Sequence, residues 1–161
     1  MKNKINYYPI AVKLKNKKAL VVGGGAVAER KVKTLITAGA CVKVVSPALT
    51  PQLKRLAKSG GILWTARTVR RSDLYGAAIV IAATSDNRVN RKVSRWAKER
   101  KTPVNVVDNP ALSSFISPAV FRAGGAVVAV YTHGRNPVLS RDIKNFLKEN
   151  WNVFLSYRNR S

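Results

Sequence analysis

Three consecutive glycines opening an alanine- and valine-containing turn are the first residues here whose spacing suggests chemistry. Gly23-Gly24-Gly25-Ala26-Val27-Ala28 fits the pattern G-x-G-x-x-A. In such a turn the first glycine permits a tight reversal and the second lets the backbone approach a pyrophosphate. The small last residue lets a helix pack on a strand. The free N–H groups at the helix start then face an anion. The pattern predicts a dinucleotide site on Gly23, Gly24, Gly25, Ala26 and Val27, although a plain tight turn uses the same residues. A carboxylate ending the next strand would read an adenosine ribose. That strand runs Val44-Val45-Ser46-Pro47, with no acid and with Lys43 as its nearest charge, so the ribose preference stays open. Ser46, Pro47 and Ala48 are expected to border the cofactor. Asp108 ends the fifth apolar run, Asn105-Val106-Val107-Asp108, where ligands sit in an open parallel sheet. It is the candidate proton acceptor, although Asp108-Asn109-Pro110 is also turn chemistry. In Thr84-Ser85-Asp86, Thr84 is expected to meet the cofactor and Asp86 to cap the following helix.

These residues need a scaffold, and the hydrophobic pattern supplies one. Residues 19–22, 42–45, 62–65, 77–83 and 104–107 read as strands. Helical periods fill 26–38, a short stretch after Pro51, and 87–101. This alternation predicts an α/β, Rossmann-like parallel sheet with helices on both faces. On the 87–101 helix Arg88, Arg91, Lys92 and Arg95 share one face and Val89, Val93 and Trp96 the other. The basic face reads as a solvated surface or an anion-binding ridge. After residue 110 the pattern changes. Residues 115–121 and 126–131 flank Arg122-Ala123-Gly124-Gly125 and read as a hairpin, followed by a helix over 138–149. Residues 150–161 are expected to fray. The expected division is a nucleotide-binding domain over 1–112, a hairpin-and-helix segment over 113–150 and a short tail over 151–161.

The chain has 161 residues, 46% of them hydrophobic, enough for a core and too many for a disordered chain. Thirty Lys and Arg against seven Asp and Glu give a net charge of +23, which implies an anionic partner. Residues 1–80 carry 16 cations against 2 acids and residues 81–161 carry 14 against 5, so the charge belongs to the fold and not to a tail. One cysteine and one histidine exclude an internal disulfide framework and the usual Cys- or His-rich metal centres, so no metal ligands are assigned. Cys41 is expected to be a small buried residue. No run approaches the roughly 20 apolar residues of a membrane span, and no apolar signal core follows the basic start. The expectation is a cytoplasmic protein with no membrane partner.

Several strings together resemble the precorrin-2 dehydrogenase / sirohydrochlorin ferrochelatase family, the siroheme synthase N-terminal region. They are Tyr8-Pro9-Ile10, the segment from Val21 through the glycine turn to Glu29-Arg30-Lys31, Ala82-Ala83-Thr84-Ser85-Asp86 with Asn90, and Asn105-Val106-Val107-Asp108. Ser114-Phe115-Ile116-Ser117-Pro118-Ala119 and Gly134-Arg135-Asn136-Pro137-Val138-Leu139-Ser140-Arg141 complete the set. The glycine turn is common to many dehydrogenases; the later strings are more specific. The resemblance implies NAD as cofactor, oxidation of precorrin-2 to sirohydrochlorin, and Asp108 as the catalytic residue. It also implies a homodimer built through the hairpin and helix, and in some members insertion of Fe²⁺ or Co²⁺. The substrate is a tetrapyrrole ringed by carboxylates, which accounts for a basic cleft without invoking nucleic acid. Asn105, Thr132, Arg135 and Arg141 are the substrate-binding candidates, the arginines because a guanidinium fits a carboxylate bidentately. His133 reads as a loop residue near the dimer interface. Alternatives are a ferrochelatase making little use of NAD, or a non-catalytic basic nucleotide-binding module. Many relatives continue into a further helical region beyond the dimerisation segment, which this chain is expected to lack.

Overall fold

The computed structural model describes residues 7–107 and 109–158. Asp108 lies outside the described residues. The chain forms two compact units, Pro9–Phe115 and a second drawn mainly from Ile116 onward.

The first unit is the expected parallel sheet. Its elements are β1 (Lys18–Val22), α1 (Ala26–Thr37), β2 (Cys41–Val45), α2 (Pro51–Lys58), β3 (Leu63–Thr65), β4 (Ile79–Ala82), α3 (Asn87–Glu99) and β5 (Val104–Val106). Short 3₁₀ turns occupy Arg71–Leu74 and Pro110–Leu112. The strand order is β3-β2-β1-β4-β5 and every pairing is parallel. Register aligns Thr65, Val45, Val22, Ala82 and Val106 in one row at the carboxyl ends. The order reverses between β1 and β4, the switch point at which open α/β sheets bind ligands.

Alternate side chains along each buried strand serve opposite faces. Ala19, Val21, Val42, Val44, Ile79 and Ile81 pack with Ala28, Val32 and Leu35 of α1 and Leu53 of α2. Leu20, Val22, Val45, Val80, Ala82, Val104 and Val106 pack with Val93 and Ala97 of α3. Leu53 is wholly buried, and burying a leucine contributes about 1.5–3 kcal/mol. The expected division of α3 holds: Val93 is buried while Arg88, Arg91, Lys92 and Arg95 are exposed. Cys41 departs from expectation. It is exposed, because it opens β2 at the amino-terminal edge, before the buried positions begin.

The second unit pairs β6 (Ala119–Ala123) with β7 (Ala126–Val130) antiparallel. Gly124 and Gly125 join them at φ 55° and 78°, the doubly left-handed turn that matches strand twist. The first hairpin strand starts at Ala119, later than its apolar run suggested. Helix α4 (Pro137–Glu149) begins at an Asn136 cap whose side chain accepts from Leu139 N at 2.8 Å. The described part of the tail is helical where fraying was expected: α5 spans Trp151–Arg158. Trp151 makes an edge contact with Phe121 at 5.5 Å between centroids and stacks obliquely on Phe154 at 5.0 Å. No helix among the described residues is long and apolar enough to cross a membrane.

Candidate functional site

The glycine turn is squeezed between its neighbours, and its three glycines answer three different demands. Gly23 sits at φ 118°, its N–H donating to Val45 O at 3.0 Å. A Cβ there would lie 2.3 Å from Ala83 O. At Gly24 a Cβ would lie 2.0 Å from Ala48 O and 2.9 Å from Ser46 Oγ, because the chain after β2 folds tightly over the turn. Gly25 caps α1, and a Cβ there meets nothing within 4 Å. Gly23 and Gly24 therefore serve the fold, while Gly25 borders open space. Ala28 is fully buried against the sheet, as its small size requires.

That open space is a cleft of about 850 Å³ beyond the carboxyl ends of the strands, a size typical of ligand sites. Gly23, Gly24, Gly25, Ala26 and Val27 form its floor; Ser46, Pro47 and Ala48 form one side and Thr84 the other. All nine of the residues expected to border the cofactor line this one cleft. Asn105 does not. It is buried in β5, its Nδ2 donating to Phe115 O at 3.1 Å. Thr132, Arg135 and Arg141 belong to the second unit. There Thr132 Oγ1 lies 2.8 Å from Ser140 Oγ, and Arg135 N donates to Thr132 O at 2.9 Å. Arg141 is exposed beside Asp142. His133 and Gly134, at φ 52° and 72°, make the tight turn between Thr132 and Arg135. Among the described residues no group of three or more His, Cys, Asp or Glu is placed to hold a metal ion.

The walls are fixed by a few side chains. Thr50 caps α2, accepting from Leu53 N at 3.2 Å, and donates to Glu29 Oε2 at 2.8 Å, so α1 and α2 are tied at the cleft edge. Lys33 and Thr50 hold the Glu29 carboxyl below its ordinary value. Across the turn, buried Asn90 brackets Thr84. It accepts from the Thr84 hydroxyl at 2.8 Å and donates Nδ2 to Thr84 O at 2.9 Å. Asp86 is the expected cap, accepting from Arg88 N at 2.7 Å and more weakly from Val89 N. The Arg88 amide leads the contacts that lower its pKa. Asp86 is the one carboxylate among the described lining residues, and those amides occupy it.

Sequence reasoning missed Arg67, Thr68 and Val69, which close the cleft beyond β3. Their signal was weak, because only the strand register brings the end of β3 beside Ser46. Arg67 is held by Asp73: Nη1 donates to Oδ2 at 2.8 Å and Nη2 to Oδ1 at 2.9 Å. Lys43 Nζ donates to the same Oδ1 at 2.8 Å, and Arg70 N to Oδ2 at 2.8 Å. Burial by itself would raise the Asp73 pKa, but Arg67, Lys43 and the Arg70 amide outweigh it and hold the carboxyl far below the usual range. A depressed folded-state pKa means that this contribution is complete above the unfolded value near 3.9 and fades as pH falls below it. Asp73→Asn strands two cations on a site only 2% exposed. It is expected to cost about 3 kcal/mol at pH 7, with the deficit shrinking in acid. Urea melts at pH 7 and pH 3 measure this, and an equal deficit at both would refute it.

A dinucleotide fits this arrangement. Gly25 leaves room above a helix N-terminus, and no side chain of the turn fills that space. The motif order pointed to siroheme synthases, and relatives of that name match. One from Methylobacillus flagellatus is 48% identical over 136 residues, covering 84% of this chain and 29% of the relative. One from Pseudomonas entomophila is 46% identical over 140 residues, covering 87% and 30%. The chain thus spans about 30% of the length of these curated relatives. A solved structure of SirC, a precorrin-2 dehydrogenase, superposes with a TM-score of 0.77 at 29% identity, over 89% of this chain and 71% of that one. A family model described as "Putative NAD(P)-binding" matches residues 10–119. The match takes in the whole parallel sheet with its glycine turn, and the chain belongs to this NAD(P)-binding family.

Proposed function

We propose that this chain is a cytoplasmic, NAD-dependent dehydrogenase that oxidises precorrin-2 to sirohydrochlorin. The observation that carries the reading is the glycine-floored cleft at the switch point, in a chain that superposes on a precorrin-2 dehydrogenase over most of its length. Gly23 to Val27 with the α1 amides hold the pyrophosphate of the cofactor, Ser46 to Ala48 border its adenosine half, and Thr84, fixed by Asn90, borders the other half. Bound there, NAD⁺ supplies a two-electron hydride acceptor. The oxidation also releases a proton from the macrocycle, and Asp108 is the group we assign to accept it. The other acids of the first unit are committed elsewhere: Glu29 to Lys33 and Thr50, Asp73 to Arg67 and Lys43, Asp86 to α3, and Glu99 to Arg71.

The substrate's acetate and propionate carboxylates need cations. Arg135 and Arg141 are exposed and suited to bidentate capture. Thr132 completes the substrate set we assign, and buried Asn105 is moved from that set to a positioning role. Asn105 acts by holding the Phe115 carbonyl in place. The working form is a homodimer joined through the hairpin-and-helix unit. Val138, Leu139, Ile143, Phe146 and Leu147 of α4, with Val153, Phe154 and Tyr157 of α5, are exposed in the single chain, an apolar surface of the kind that marks an interface.

Anaerobic incubation of precorrin-2 with the protein and NAD⁺, followed by absorbance, tests the reading. Sirohydrochlorin is expected to form with one NADH per turnover. Adding Fe²⁺ or Co²⁺ as substrate then reports on chelation by a second spectral change. Nucleotide binding without oxidation of precorrin-2 would refute the substrate assignment, and absence of nucleotide binding would refute the cleft assignment.

A further inference from the structure

In this fold, a carboxylate ending β2 normally pairs with the ribose 2′-hydroxyl of NAD and repels a 2′-phosphate. Alternatively, a nearby arginine takes that phosphate. Here β2 runs into Ser46 and Pro47, with no acid. Among the described residues only two charged side chains line the cleft, Asp86 and Arg67. Asp86 follows β4, on the far side of the glycine turn. Arg67 follows β3, whose last residue Thr65 accepts from Ser46 N at 3.2 Å. The one cation among the described lining residues therefore stands on the side where β2 ends.

Its guanidinium is already placed. Asp73 and the Thr68 carbonyl take three of its five N–H groups, leaving two for a ligand. Asp73 does not neutralise the region, because one carboxylate serves both Arg67 and Lys43. The cluster keeps a charge of +1, with Lys18 donating to the Asp73 carbonyl at 3.0 Å beside it. A 2′-phosphate would meet a net positive, preorganised site, and β2 ends in no carboxylate to oppose it.

We propose that Arg67 reads the adenosine ribose and that the cleft therefore accepts the 2′-phosphorylated dinucleotide, NADP, as well as NAD. This rests on the cleft being a dinucleotide site, and it adds the residue that sets the choice. Asp73 is the positioning residue that presents Arg67.

Calorimetric titration of NAD⁺ and NADP⁺ into the intact chain and two variants tests it. The unmodified protein is expected to bind NADP⁺ with a Kd within tenfold of that for NAD⁺. Arg67→Met is expected to raise the NADP⁺/NAD⁺ ratio of Kd values at least tenfold. Pro47→Asp supplies the missing carboxylate at an exposed cleft position while leaving the Arg67–Asp73 pair in place, and it is expected to shift the ratio the same way by tenfold or more. The second variant decides the matter if Arg67→Met fails to fold. A gap larger than tenfold in the unmodified protein, or an unchanged ratio in a folded variant, overturns the proposal. Binding of NAD⁺ alone sinks only this inference, whereas binding of neither nucleotide sinks the reading of the cleft.

Discussion

Gly25→Asp is expected to yield a folded protein whose dinucleotide affinity is about a thousandfold below that of the unmodified chain. The space around a Cβ at this position is empty to 4 Å, so the fold pays little for a side chain there. The bound pyrophosphate would pay heavily. Two like charges about 4 Å apart repel by roughly 4 kcal/mol at an effective dielectric near 20, which is about a thousandfold in affinity. The neighbouring glycine behaves oppositely. Gly24→Ala drives a Cβ to 2.0 Å from the Ala48 carbonyl, and backbone must move, at a cost of about 1–3 kcal/mol. One variant thus loses ligand with stability intact, and the other loses stability first. Thermal melts paired with calorimetry separate the two, and normal NAD⁺ affinity in Gly25→Asp would mean that the phosphates lie elsewhere.

Asp108→Ala is expected to lower turnover of precorrin-2 by about 100-fold or more, the usual contribution of a positioned base, with NAD⁺ affinity within about twofold. The split follows from the assigned role, because a proton acceptor acts on the reacting macrocycle and the nucleotide is held by the glycine turn. Removal of a proton acceptor should also change the shape of the pH profile of turnover. A purely structural Asp108 would leave the pH profile unchanged in shape. More than a tenth of the original turnover in Asp108→Ala would remove this residue from the chemistry.

The parallel sheet was legible because its strands are apolar on both faces and its helices carry clear 3.6-residue periods. The cap at Asp86 was legible because capping is local, a matter of one side chain and the amides two and three residues on. The residues missed depend on contacts between distant segments. Asp73 meets Lys43 thirty residues away, and no local pattern announces that pair. Arg67 enters the cleft only because β3 lies next to β2 in the sheet order, although the chain could have placed it at either edge. Helix α5 escaped notice because its order comes from Trp151 seated on Phe121, a contact outside the helix. Cys41 was misjudged because an apolar run says nothing about which of its ends reaches solvent.

The exposed thiol of Cys41 has a practical consequence. It is the chain's single cysteine and stands at the opposite end of β2 from Val45, which borders the cleft. At about 3.3 Å per residue the separation is roughly 13 Å. A maleimide dye would therefore attach at one defined position without engineering, far enough from the nucleotide to leave its site clear and near enough for energy transfer from the reduced nicotinamide of NADH. Strand β2 gives the protein its own optical gauge of occupancy by the reduced cofactor.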